Sequence, residues 1–264
     1  MLMKAAVFFK PNGIDKEIEQ NLLKKLDELE FEYECASSDD ANADEIAARC
    51  DIVLALGGDG TIIHAAKSAA KSGKRTLGIN CGHLGYTAGL ETDELEMLGA
   101  LKTGEYTIDR RMMLKVKTDS GEFLGINEAV ITKGALSRML SIRAKVGSSS
   151  MDYSSDGLII ATPTGSTAYS LSAGGAVIDP TLNALAITPI CTHSFFRSPI
   201  VVGAEQPIEV TVCCNREAYL TVDGDEAIPI KQNERVIISK ADICVELIRI
   251  KTDGFLKTLI DKIK

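Results

Sequence analysis

The sequence of 264 residues has no apolar run approaching the roughly 20 residues that a bilayer-spanning helix needs. It also shows no apolar signal core near its start ahead of a small-residue cleavage site. Lys4 to Phe9 reads instead as a first strand, and a cytoplasmic location is expected. An excess of basic charge is missing. Lys and Arg number 29 against 37 Asp and Glu, for a net charge of −8. Nucleic acid and membrane are therefore not expected partners, since each calls for a basic or apolar face. A small anionic ligand stays open, because binding depends on the local field rather than on the sum. No C-x-x-C occurs, and the seven cysteines are odd in number and scattered, so reduced, mostly buried thiols are expected. The three histidines stand far apart, which argues against a structural zinc site. There is no G-x-x-x-x-G-K-[ST] and no G-x-G-x-x-G, which excludes a P-loop enzyme and gives no support to an ordinary dinucleotide fold. Internal repeats, low-complexity tracts and flexible linkers are absent as well.

What is present divides in two. Short apolar strands alternate with helices over the first hundred residues. Strands are expected at Ala5–Phe9, Phe31–Cys35, Ile52–Leu56 and Thr76–Asn80. Helices are expected at Ile14–Leu29, Asp44–Arg49, Thr61–Lys71 and Glu94–Leu101. In the first of these helices Ile14, Ile18, Leu22, Leu26 and Leu29 form one stripe. This is the pattern of a parallel sheet with ligand loops at the strand ends. Past Gly104 the chain reads mostly as strands, broken by one helix at about Thr167–Gly174. The expected division is an α/β domain over 1–104, a β-rich domain over 105–250, and a C-terminal helix over 251–264. That last helix has an apolar face of Phe255, Leu259, Ile260 and Ile263, which should pack back onto a domain.

Two strand–turn–helix sites carry chemistry. Gly57-Gly58-Asp59-Gly60-Thr61 lies between a buried strand and a helix. Its glycines suit positive φ and close ligand approach, and its amides suit an anion. Asp59 would repel phosphate. It makes sense as a partner of a metal riding on phosphates, or as acceptor of a proton from an attacking hydroxyl. A tight turn with Asp59 as a helix cap is the plainer alternative. In the second site Leu158–Ala161 runs into Thr162-Pro-Thr-Gly165, and a helix is expected to open at Ser166-Thr167 with hydroxyls and free amides at its start. Such a place suits a ribose, an amide or an anion. The two sites together suggest phosphoryl transfer.

Gly57-Gly-Asp-Gly60, Gly78-Ile-Asn-Cys-Gly-His-Leu-Gly-Tyr86, Asn127-Glu128 and Thr162-Pro-Thr-Gly-Ser-Thr-Ala-Tyr-Ser-Leu-Ser-Ala-Gly-Gly175 resemble bacterial NAD kinases in order and approximate spacing. The Gly-Gly-Asp-Gly turn alone is shared with diacylglycerol kinases, whereas the Thr162–Gly175 block is far more specific. The resemblance implies an NAD kinase fold, an α/β domain with a parallel sheet followed by a β-rich one. It implies transfer of phosphate from ATP to the adenosine ribose 2'-hydroxyl of NAD, with Mg2+ on the nucleotide phosphates. Asp59 is then the candidate base or metal partner at that hydroxyl, and Gly57, Gly58, Gly60 and Thr61 hold phosphate. Asp59, Gly60, His64, Tyr86, Asn127, Glu128, Arg138, Thr167, Ala168, Tyr169 and Ser172 stand where the family contacts the dinucleotide. Asp156 matches an aspartate that reaches NAD from a neighbouring subunit, which implies a homodimer or homotetramer. The chain departs from the family pattern at Ser154, in the displaced Arg197 of Cys191–Pro199, and at Asp225 of Asp223-Gly-Asp225. Two rival readings are a lipid kinase of the diacylglycerol type and a non-catalytic NAD(P)-binding regulator. The second block argues against the first, and the intact Asp59 loop argues against the second.

Overall fold

The structure, a computed structural model, describes residues 2–10, 13–82, 86–136, 138–251 and 254–263. It forms two compact units, residues 1–111 with 243–264, and residues 112–242.

The first unit is built from β1 (Lys4–Phe9), α1 (Lys16–Glu28), β2 (Glu32–Ser37), α2 (Ala43–Ala48), β3 (Ile52–Gly57), α3 (Asp59–Lys71), β4 (Arg75–Asn80) and β5 (Leu90–Glu91). A 3-10 turn (Thr92–Gly99) and α4 (Ala100–Thr103) follow. β1, β2, β3 and β4 are parallel, with β1 between β2 and β3 and with β3 against β4. Both faces are covered, as a parallel sheet requires. Ala5 and Val7 of β1 with Ile52, Leu54 and Leu56 of β3 meet Leu22 and Leu26 of α1. The alternate residues Ala6, Phe8, Val53 and Ala55 meet Ile46 of α2 and Ile62, Ala65 and Ala69 of α3. The period of two along a strand and the i, i+4 stripe along a helix fit each other here. Asp15 caps α1 by accepting the Glu17 amide at 2.9 Å.

The second unit begins within β6 (Thr107–Thr118) and runs through β7 (Gly121–Gly125), β8 (Glu128–Lys133), β9 (Leu140–Val146), β10 (Ser149–Ser155) and β11 (Gly157–Ala161). A 3-10 turn (Gly165–Thr167) and α5 (Tyr169–Ser172) follow. Then come β12 (Ala184–Ile190), β13 (Ile200–Gly203), β14 (Ile208–Val212), β15 (Ala218–Val222), β16 (Ile228–Ile230) and β17 (Arg235–Arg249). One antiparallel sheet has the order β13-β12-β11-β8-β15-β16. Its Ile131, Leu158, Ile160, Leu185 and Ile187 face Ile142, Ala144, Ile208, Val210, Val236 and Ile238 of β9, β14 and β17, which pair side by side. Two sheets thus share one core, a sandwich. The outer face of the first sheet carries Val130, Ile159, Ala161 and Ala186 with Ile178.

β17 leaves the second unit at Asp242, and its Glu246 and Leu247 pair in parallel with Arg75 and Thr76 of β4. The composition change near Gly104 does not show this return of the chain, because Val245, Leu247 and Ile248 read as one more β-rich strand. The C-terminal α6 (Phe255–Ile263) has Phe255 and Leu259 half-buried, while Ile260 stays 54% exposed. The side chain of Ile263 lies outside the described residues.

Three expectations need correction. The thiols are unpaired but not mostly buried. Cys50 alone is buried, and Cys35, Cys191 and Cys244 are exposed, Cys35 on the outermost strand β2. The expected helix over Thr167–Gly174 is broken at Ala168 (φ −98, ψ −129) into a 3-10 turn and the single turn of α5. The glycines Gly57, Gly58 and Gly60 do not adopt positive φ. Gly57 is needed for another reason: a Cβ there would sit 2.5 Å from the Thr61 hydroxyl. Among the described residues no helix is long and apolar enough to cross a membrane.

Candidate active site

Each unit holds one cluster of the sequence-derived site residues. In the first unit β3 ends at Gly57, and Asp59 opens α3, two residues before the expected helix start. A carboxylate in a first helical turn is favoured by the helix dipole. The Asp59 carboxylate also takes donors from the segment before β5. One oxygen accepts the Thr87 amide at 3.1 Å and the Thr87 hydroxyl at 2.6 Å, and the other accepts the Tyr86 amide at 3.2 Å. Asp59 is half-buried, and these donors fix its direction. The two glycine motifs are joined directly, since the Cys81 amide donates to the Gly57 carbonyl at 3.1 Å. Buried Asn80 anchors the start of the same loop by donating to Glu91 at 2.9 Å. The Tyr86 phenol is held above its usual range, first by burial and then by the charge of Asp59. Gly58 and Gly60 stand in open space, Thr61 is buried, and His64 is half-buried one turn into α3. His83, Leu84 and Gly85 of the second motif lie outside the described residues.

In the second unit the Thr162–Gly165 turn is locked onto the Ile126–Glu128 segment. The Thr162 amide donates to the Asn127 carbonyl at 2.8 Å, and the Thr162 hydroxyl donates to the Ile126 carbonyl at 2.5 Å. Gly165 passes so close that a Cβ would lie 2.2 Å from the Asn127 oxygen. Behind the turn, buried Ser166 accepts the Ile178 amide at 2.9 Å, and buried Ser170 bonds Thr188 at 2.9 Å. These hydroxyls are therefore structural. The outward positions are Thr167 and Ala168, half-buried, and Tyr169 and Ser172, exposed.

Asp223 is a site residue that motif reading missed. Its carboxylate accepts the amides of Ile126 at 2.7 Å, Asn127 at 2.8 Å and Glu128 at 3.2 Å. Asp223 (φ +53) and Gly224 (φ +76) supply the two left-handed residues of a tight turn closed by the Asp225 amide on the Val222 carbonyl at 3.0 Å. The Asp-Gly pair after a strand was the available signal. Glu128 is buried, and its Oε2 has no hydrogen-bond partner among the described residues. Burial, and then the charge of Asp223, push its pKa up to about 7. Near neutral pH this carboxyl is poised between donor and acceptor.

Asp156 and Arg138 are not brought to this cluster. β8 and β11 run antiparallel, with Glu128 opposite Ala161 and Thr132 opposite Gly157. Asp156 therefore sits at the far end of both strands, roughly 16 Å away at 3.3 Å per residue. There it pairs with Lys133 at 2.9 Å. Exposed Arg138 lies on the connection after that same end of β8. The two departures Ser154 and Cys191–Pro199 touch each other: the Ser154 amide donates to the Ser194 hydroxyl at 2.8 Å and its carbonyl accepts the His193 amide at 2.8 Å.

An α/β unit with one oriented carboxylate at a helix start, and a sandwich unit with a hydroxyl-rich turn and an Asn-Glu pair, are the equipment of a phosphotransferase. Residues 8–106 match the model of the ATP-NAD kinase N-terminal domain, and residues 126–250 match that of the ATP-NAD kinase C-terminal domain. The NAD kinase of Carboxydothermus hydrogenoformans is 37% identical over 95% of this chain and 96% of its own length. That of Caldanaerobacter subterraneus subsp. tengcongensis is 41% identical over 84% and 81%. An NAD kinase from Archaeoglobus fulgidus, solved in complex with ATP, superposes with a TM-score of 0.80 at 27% identity, over 99% of this chain and 98% of that one. Yeast NADH kinase, solved with NADH, shares the fold with a TM-score of 0.85 at 20% identity, over 98% and 86%. The chain belongs to the NAD kinase family.

Proposed function

We propose that this chain transfers the γ-phosphoryl group of ATP to the adenosine ribose 2'-hydroxyl of NAD, giving NADP, with Asp59 as the proton acceptor. The observation that carries the reading is the Asp59 carboxylate itself, half-buried at the start of α3 and aimed by three donors from Tyr86 and Thr87. A ribose hydroxyl is a weak nucleophile that needs positioning more than covalent help. A carboxylate with its direction fixed takes the hydroxyl proton as the new O–P bond forms, a contribution of on the order of 10²–10⁴ in rate. Gly57, Gly58, Gly60 and Thr61 lie at the start of α3, where helix amides and the dipole favour phosphate.

Among the described residues no group of three or more His, Cys, Asp or Glu side chains gathers to hold a metal ion. Mg2+ is expected on the phosphates of the ATP substrate. We assign the Asn127-Glu128 pair and Thr167, Ala168, Tyr169 and Ser172 of the second unit to dinucleotide contacts, and, separately, Tyr86 and His64 of the first. Asp156 and Arg138, remote from that cluster within one chain, suit contacts to NAD bound by a neighbouring copy, in a homodimer or homotetramer. The expected setting is cytoplasmic, with no nucleic-acid or membrane partner.

The test is NADP formation from NAD, ATP and Mg2+ by wild type and Asp59→Asn. The variant should bind NAD within a few-fold of wild type and lose turnover on the order of 10²-fold or more. Near-normal turnover in the variant would refute the proton-acceptor role. Absent turnover in wild type with retained NAD or NADP binding would favour a regulator.

A further inference from the structure

The segment that aims Asp59 is itself gripped from behind. Tyr86 and Thr87 turn their amides toward Asp59, and the carbonyls of Tyr86, Thr87 and Ala88 accept from one side chain, Arg249 of β17. Arg249 Nη2 donates to the Tyr86 carbonyl at 3.1 Å, and Nη1 donates to the Thr87 carbonyl at 3.2 Å and to that of Ala88. Its remaining donors, on Nε and Nη2, go to Asp109 at 3.1 and 3.0 Å. An arginine has five N–H donors, so this fork is fully spent on the protein. It is not a phosphate clamp held in reserve. Asp109 is fixed in turn by a bidentate pair with buried Arg111, at 2.7 and 2.6 Å. Burial alone would raise the Asp109 carboxyl, but Arg111 and Arg249 outweigh it and hold it below the usual carboxylate range.

We infer that Arg249 is a positioning residue for the phosphoryl-transfer step: it holds the 86–88 backbone so that the Tyr86 and Thr87 amides and the Thr87 hydroxyl fix the direction of Asp59. This rests on the reading of Asp59 as proton acceptor. The physical reason is planarity. The N–H and C=O of one peptide unit point to opposite sides, so gripping the Tyr86 carbonyl fixes the Thr87 amide that shares its plane, and the Tyr86 amide is held through the neighbouring residue. A guanidinium spans three successive carbonyls, which a lysine's compact ammonium cannot match.

The experiment is a double-mutant cycle between Arg249→Lys and Thr87→Val, which removes only the hydroxyl at 2.6 Å from Asp59. For each protein kcat, KM for NAD and the midpoint of thermal unfolding are measured, with kcat expressed per folded molecule. Arg249→Lys should lower kcat on the order of tenfold to a hundredfold while KM for NAD stays within about threefold. The double variant should fall little below the worse single one, because both changes free the same segment from Asp59. Multiplicative losses, a rise in KM at unchanged kcat, or no loss per folded molecule would overturn the inference. If Arg249→Lys does not yield folded protein, Asp109→Asn takes its place in the cycle with the same expectations. If neither folds, the network serves the fold and the inference falls. Asp59→Asn assayed alongside separates the two readings. Near-normal turnover there removes the proton-acceptor role, whereas additivity with Asp59→Asn inactive removes only the role of Arg249.

Discussion

Glu128 should make this protein less stable as pH rises through neutrality, and Glu128→Gln should remove that slope. The side chain is 7% exposed, its Oε2 has no partner among the described residues, and burial with the nearby Asp223 charge moves its pKa from 4.5 to about 7. The folded state thus binds this proton more tightly than the unfolded chain does. For a group raised on folding, stability is fully present below the unfolded value and is lost as pH rises through the folded value. A shift of 2.5 units is worth about 3 kcal/mol at most. Between pH 5 and pH 8 the share that changes is about 2.5 kcal/mol, because the unfolded glutamate is already largely ionised at pH 5. Urea unfolding followed by far-UV circular dichroism at the two pH values, for wild type and Glu128→Gln, isolates this as a double difference. Other titrating groups cancel in it. The variant should gain on wild type by about 2 kcal/mol on going from pH 5 to pH 8. A double difference near zero would mean that Glu128 is ionised and solvated, and the reasoning from burial would be refuted.

Gly165→Ala places a methyl 2.2 Å from the Asn127 oxygen. It should destabilise the chain by roughly 1–3 kcal/mol and weaken NAD binding, which unfolding and titration calorimetry would read; an unchanged midpoint would place the turn elsewhere. Asp223→Asn turns an amide donor toward at least one of three backbone N–H groups. A loss of about 1–3 kcal/mol is expected. The Glu128 pKa should move down but stay above its ordinary value, since burial is its larger cause, as 13C-carboxyl titration would show. Asp156→Ala should lower turnover in an oligomer while leaving the midpoint within about 1 kcal/mol, because its pair with Lys133 is a third exposed. Equal activity would remove Asp156 from the site.

The three-layered α/β unit was readable because its periodicities are clean. Leu22 and Leu26 fall on the buried stripe of α1, and β1 and β3 alternate between two helical layers. Among the strands of the sandwich that were not readable, two show why. β10, Ser149–Ser155, is polar and pairs with β9 alone, so only Tyr153 and Ser155 need burial. β12 carries Pro189, which a central strand normally excludes. Its pairing with β13 runs over Ala184–Ile187, so Pro189 interrupts no ladder on that side. The break at Ala168 was hidden because a run of small and hydroxyl residues reads equally as a helix start and as a turn.

The same division runs through the site. Motifs exposed the residues proposed to face a ligand: Asp59, Asn127, Glu128 and the Thr162 turn. They did not expose the charges that hold those residues, Asp223 beneath the Asn127-Glu128 backbone and Arg249 beneath Tyr86–Ala88. Both act on backbone atoms, so nothing in the identity of the residues they hold announces them. Asp59 shows why this matters. An Asn in its place turns one amide donor toward the Tyr86 or Thr87 N–H, so Asp59→Asn disturbs the loop as well as abolishing the base. The fall in turnover measures both effects together. Thr87→Val, which weakens the grip while keeping the carboxylate, separates them: a large loss there assigns part of the Asp59→Asn effect to aim, and a small one leaves it with the proton.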